Sequence, residues 1–105
     1  MGKAEARVED YLVARVKAAG GCCYKFSASV TNGVPDRVVV LGRTVFVETK
    51  ARDGRPSKLQ LVRHEEIRSS GGEVHLAFTR EQVDELVDAL IDDMERARGA
   101  QEGGD

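Results

Sequence analysis

The chain has 105 residues and a net charge of −2, with 41% hydrophobic and 32% charged side chains, the balance of a globular module. That length holds one core and excludes a second domain, so residues 1–98 are expected to form a single domain and 99–105 a disordered tail. No apolar run reaches membrane-spanning length and the N-terminus lacks the basic-then-apolar layout of a signal peptide, so a cytoplasmic location is expected.

The elements follow in chain order. Val8, Leu12, Val16 and Ala19 recur at helical spacing, and Gly20-Gly21 ends that helix. A strand over about 22–27 follows, in which alternation sends one of Cys22 and Cys23 inward as a small hydrophobe. Adjacent cysteines pair poorly with each other, and with only His64 and His75 elsewhere a cysteine metal site is not expected. After a loop over 28–34, residues 37–41 and 45–50 read as a hairpin turning at Gly42. Ser57 caps a second helix whose apolar positions include Leu61, Val62 and Ile67, and Gly71-Gly72 ends it. A fourth strand spans roughly 73–78. Thr79 then caps a last helix with a wide stripe of Val83, Leu86, Val87, Leu90, Ile91 and Met94. The order is αβββαβα.

The chemistry sits on the hairpin. Gly33-Val34-Pro35-Asp36 opens it, and twelve residues after the aspartate comes Glu48-Thr49-Lys50. Glu48 and Lys50 are two apart, so on a strand they point the same way. Two carboxylates converging on one point make a hard-oxygen site suited to Mg²⁺ or Mn²⁺, and a neighbouring lysine can orient water or meet charge on a phosphate. This is the layout of metal-assisted phosphodiester hydrolysis. Each fragment has a plainer meaning, since Pro-Asp is a common turn and Glu-x-Lys a common solvated face. The surrounding Val38, Val39, Val40, Val45, Phe46 and Val47 argue otherwise, because a strand pair apolar on both faces is normally central and buried. Ions buried there cost several kcal/mol each unless a metal or mutual network compensates. The reading also dictates a register. A two-residue loop at 42–43 would put Asp36 on the wrong face, whereas a loop over 42–44, which pairs 38 with 48, or over 41–43, which pairs 36 with 48, restores it.

Pro35-Asp36, with Glu48-Thr49-Lys50, matches the PD-(D/E)XK nuclease signature. The longer string adds Lys25-Phe26, Gly33-Val34 and Arg37 around the aspartate. It continues through Phe46-Val47, Ala51, Gly54 and Ser57-Lys58-Leu59-Gln60, and it resembles the VRR-NUC branch, the virus-type replication-repair nucleases. The resemblance runs from about Glu5 to Phe78. It implies an α/β restriction-endonuclease-like core, a mixed four-stranded sheet flanked by helices. It further implies Mg²⁺ or Mn²⁺ as cofactor and DNA as substrate. Small stand-alone members, often from phages or bacteria, are associated with homodimers that cleave branched DNA such as four-way junctions, which implies a bacterial or phage-infected cytoplasm.

The resemblance assigns the catalytic set Asp36, Glu48, Lys50 and Gln60, with the metal held by Asp36, Glu48, the Thr49 carbonyl and a helix glutamate. For that glutamate Glu9 is favoured, and Glu5, one turn earlier, is the rival. Ser57-x-x-Gln60 is also a capping box, which alone accounts for both residues. Lys25, Arg37, Arg52, Arg55, Lys58 and Arg63 are candidate phosphate contacts, and His64 is either a surface residue or a DNA contact. Charge segregation agrees: residues 15–68 hold eleven Lys or Arg against five Asp or Glu, and residues 80–105 hold three against nine. No glycine pattern for a nucleotide cofactor is present. Two other classes fit the chain: a DNA-binding module whose nuclease site has decayed, and an accessory subunit docking a partner through its acidic last helix.

Overall fold

The computed structural model describes residues 2–102. Its elements are α1 (Lys3–Ala18), β1 (Cys22–Lys25), β2 (Arg37–Val40), β3 (Thr44–Thr49), α2 (Lys58–Ser69), β4 (Val74–Ala77) and α3 (Arg80–Glu102). Of the tail expected at 99–105, residues 99–102 lie within α3, and 103–105 fall outside the described residues.

Local chemistry sets the boundaries. α1 and α2 both stop at a Gly-Gly pair whose first glycine takes a positive φ, +89° at Gly20 and +96° at Gly71. In each case the two amides that follow the cap fold back onto helix carbonyls: Gly20 to Lys17 and Gly21 to Val16, Gly71 to Arg68 and Gly72 to Ile67. At the other end of α2, the Ser57 hydroxyl accepts from the Gln60 amide while the Gln60 side chain accepts from the Ser57 amide, the expected capping box.

The strands form one mixed sheet in the order β1-β2-β3-β4. The first two pairings are antiparallel, and β3 and β4 run parallel because α2 carries the chain across between them. In the hairpin Arg37 pairs with Val47 and Val40 with Thr44, so the loop is the three-residue one over 41–43, closed by the Leu41 amide donating to Arg43 at 3.0 Å. Continuing that register sets Asp36 opposite Glu48. The ladder also runs one residue past β3, where the Lys50 amide donates to the Ala77 carbonyl at 3.0 Å, which keeps Lys50 in phase with Glu48.

Alternation then divides the sheet. Val39, Val45, Val47 and Ala77 face α1 and α3, joining Val8, Leu12, Val16, Val83, Leu86, Val87 and Leu90 in one aliphatic core. The opposite face carries Phe46 and Glu48 and is covered by α2. Here the sequence misleads. Leu61 and Val62 are 49% and 50% exposed, and the buried residue of α2 is His64. The inward stripe is Gln60, His64 and Ile67, at spacings of four and three, because α2 lies over a polar site.

Candidate active site

Asp36 is delivered by a loop that other groups fix in place. Pro35 before it is fully buried, and the Asp36 carbonyl accepts from the Phe26 amide at 2.8 Å. Gly33 has φ +87° and lies so close to α2 that an added Cβ would meet Leu59 at 3.0 Å, so both its conformation and its contact require glycine. Arg63 on α2 donates to the Asn32 carbonyl at 2.9 Å, which ties the same loop down. The Asp36 carboxylate uses one oxygen, Oδ2, to accept from the Thr49 amide at 2.9 Å and the Thr49 hydroxyl at 3.0 Å. The middle residue of Glu-Thr-Lys therefore orients the aspartate with its side chain as well as its backbone.

Glu48 is entirely buried. Its Oε2 accepts from Gln60 Nε2 at 3.1 Å and lies 3.4 Å from Lys50 Nζ. Gln60 thus fills both roles open to it: its oxygen closes the capping box, and its nitrogen reaches the carboxylate. Glu48 Oε1 has no hydrogen-bond partner, and His64 Nε2 lies 3.6 Å from it. Burial, and after it the negative charge of Asp36, pushes the Glu48 carboxyl up to about 7, against the opposing pull of Lys50. His64 moves the other way: burial, then the charges of Arg68 and Lys50, holds its imidazole below the ordinary range.

The helix glutamates separate. Glu5 reaches the site, its Oε1 lying 3.7 Å from Lys50 Nζ. Glu9, 3% exposed, is taken by Arg37 at 2.7 Å and approached by Lys25 at 3.6 Å. Among the described residues no hydrogen bond or ion pair joins Glu9 to Asp36, Glu48 or Lys50. The cause is strand alternation: Arg37 pairs with Val47 on the α1 face, opposite Glu48. The expected cations divide likewise. Arg37 is spent on Glu9, and Arg63 on Asn32 and on Glu66 at 3.1 Å. Arg52, Arg55 and Lys58, on the loop leaving the site and at the start of α2, are exposed and form no ion pair among the described residues. Of the residues that the sequence left undecided, His64 carried one usable signal, its position four after Gln60.

A divalent ion fits this donor set. Among the described residues no group of three or more Asp, Glu, His or Cys side chains converges as a ready cage. Two carboxylates facing each other across the hairpin suit Mg²⁺, which is commonly held by one or two carboxylates while water and substrate phosphate fill the rest.

An acid pair and a lysine at the diverging ends of a mixed four-stranded sheet, with helices on both sides, define the PD-(D/E)XK class of nuclease folds. A solved structure of a VRR_NUC domain is 36% identical and superimposes with a TM-score of 0.76, covering 83% of this chain and 97% of that one. Over 72 residues the chain is 40% identical to "Putative nuclease p44" of Acyrthosiphon pisum secondary endosymbiont phage 1, spanning 67% of this chain and 77% of the relative. No family profile matches. The chain belongs to the VRR-NUC family.

Proposed function

We propose that this chain is an endonuclease that hydrolyses DNA phosphodiester bonds with Mg²⁺ or Mn²⁺, in a bacterial or phage-infected cytoplasm. No helix among the described residues is long and apolar enough to cross a membrane, which agrees with that location. The carrying observation is Glu48, a buried acid that faces Asp36 across the hairpin and is raised to about 7 by burial and by that second carboxylate. A fold that needed only stability would gain from replacing that arrangement with apolar packing.

Asp36, Glu48 and the Thr49 carbonyl would hold the ion, and Glu5 is the helix carboxylate positioned to assist; Glu9, favoured from the sequence, is already committed to Arg37. Once bound, the ion supplies Lewis acidity that acidifies a water and offsets phosphate charge. Lys50, steadied between Glu48 and Glu5, orients the attacking water and meets charge that develops on the phosphate. Gln60 holds Glu48 Oε2 and offers its amide to the same water or to the scissile phosphate. Arg52, Arg55 and Lys58 hold the DNA backbone, with Lys25 at the margin.

We further infer a preference for branched DNA, including four-way junctions, cut by a homodimer. Each chain has one such site, and a symmetric cut takes two sites related by a two-fold axis. The test uses purified chain on a four-way junction and on linear duplex of the same sequence. Paired nicks on the junction are expected in Mg²⁺ or Mn²⁺, with none in EDTA, and light scattering should give twice the chain mass. Cleavage that persists in EDTA would end the metal reading. Monomers that still cut in pairs would end the assembly reading.

A further inference from the structure

The face of α2 that lies against the sheet meets β3 at three buried polar atoms with no hydrogen-bond partner: Glu48 Oε1 and both ring nitrogens of His64. Each such atom destabilises the fold, so three in one place call for a reason beyond packing. His64 is fully buried, its Nε2 is 3.6 Å from Glu48 Oε1, and it sits one helical turn after Gln60, whose Nε2 holds Glu48 Oε2 at 3.1 Å. α2 therefore addresses both oxygens of one carboxylate, Oε2 from Gln60 and Oε1 from His64. The second contact misses hydrogen-bond distance by little and needs only a small closure. With both made, the Glu48 plane is fixed, and Oε2 stays directed at Lys50 and the mouth of the site.

We propose that His64 is a positioning residue, whose Nε2–H engages Glu48 Oε1 from the interior and locks the carboxylate in its metal-holding orientation. This rests on the metal site proposed above. An imidazole suits the task, because its ring N–H can donate one hydrogen bond to the carboxylate without the side chain carrying a charge. Partners behind ligating carboxylates typically change metal affinity by about 10- to 100-fold.

The test compares the wild type with His64→Leu, which removes the donor, and His64→Gln, whose side-chain amide can donate from nearly the same point. Mn²⁺ affinity is measured on the whole chain without DNA, by calorimetry and by the spin-resonance signal of free Mn²⁺, alongside thermal unfolding in EDTA. His64→Leu should bind Mn²⁺ about tenfold more weakly while melting no lower than wild type, and His64→Gln should recover most of the affinity. With junction DNA, kcat should fall in the leucine variant and KM for DNA should hold. If His64→Leu fails to fold, His64→Phe, a ring without a donor, takes its place with the same expectation. Wild-type Mn²⁺ affinity in a folded leucine or phenylalanine variant overturns the inference, as does equal loss in the glutamine variant. A wild-type chain that binds no Mn²⁺ overturns it together with the metal site itself.

Discussion

Glu48 and Glu73 belong to the same sheet, one late in β3 and the other just before β4, and they are solved in opposite ways. Glu73 receives a forked pair of hydrogen bonds from Arg43, at 2.9 and 3.1 Å, and contacts His75 as well. The Arg43 bonds, helped by His75, hold its carboxyl down at about 2, and Arg43 also donates to Asp93 of α3 at 2.7 Å. That cluster is closed, since its carboxylates and its guanidinium answer one another. Glu48 shares Lys50 with Glu5, faces another carboxylate, leaves Oε1 unbonded and sits at about 7. The difference separates a structural cluster from a site. A cluster that closes on itself fastens elements together, whereas one left with excess negative charge is built to receive something.

Neutralising each glutamate should break the comparison most sharply. Glu48→Gln, or Asp36→Asn, should lower the cleavage rate by about 10³-fold or more, because the group facing the reacting phosphate loses its charge. The melting temperature should hold or rise as mutual repulsion disappears, DNA affinity should hold or improve, and stabilisation by Mg²⁺ should shrink. Glu73→Gln should do the reverse, leaving cleavage intact and costing up to about 1 kcal/mol, a modest value because the pair is partly exposed. Rates on junction DNA and melts with and without Mg²⁺ check both. Wild-type cleavage by Glu48→Gln would remove the assignment.

The sequence disclosed the closing of helices by Gly-Gly, both caps, the order of elements and the odd hairpin loop, because each follows from local chemistry or strand alternation. Asp36, Glu48, Lys50 and Gln60, singled out in the sequence, come together in space. The sequence failed where the answer depended on which face a residue presents to a distant element. Glu5 and Glu9 lie one turn apart on α1, and only the phase of Arg37 across the sheet shows that Glu9 is already engaged. Leu61 and Val62 are among the apolar positions of α2, but the helix turns Gln60 and His64 inward because the strand beneath offers a carboxylate. Net charge told little about the surface, since Arg15 is bound to Asp84 and Asp88 of the acidic helix.

The two α1 glutamates extend the contrast between an open and a closed cluster. Glu9→Gln leaves the largely buried Arg37 without its carboxylate, so it should destabilise the chain by about 3 kcal/mol in chemical denaturation. Glu5→Gln should leave stability close to wild type and lower the Mg²⁺-dependent rate by about tenfold, since it removes the helix carboxylate positioned to assist the ion and to steady Lys50. An exchange of those two phenotypes would make Glu9 the helix ligand.

Acidity should separate the two clusters in the metal-free protein. Glu48 is raised from 4.5 to about 7, so the folded state holds a proton that the unfolded state releases. Its contribution is full below pH 4.5 and is lost as the pH rises through 7, on the order of 3 kcal/mol in all. Glu73 is lowered to about 2, so its contribution is present above pH 4.5 and is lost as the pH falls toward 2. His64, depressed by burial, opposes Glu48 below about pH 6.5. The informative quantity is therefore wild type minus Glu48→Gln, measured in EDTA at pH 5 and pH 8. A difference that does not change between those two values would mean that Glu48 is an ordinary acid.

The smallest effects belong to the cations, and they divide on the same principle. Arg15 and Arg43 are bound to carboxylates of α3 and the sheet, whereas Arg52, Arg55 and Lys58 form no ion pair among the described residues. A phosphate recruits a cation most readily where no protein acid holds it first. Arg52→Gln, Arg55→Gln and Lys58→Gln should each weaken junction binding a few-fold in Ca²⁺, which supports binding without the cleavage expected with Mg²⁺. Each should also flatten the dependence of log affinity on log salt by about one unit. Arg43→Gln should lower the melting temperature and leave that slope unchanged. Unchanged slopes in all three loop variants would move the DNA path away from the β3–α2 loop, with Lys25 as the next cation to replace.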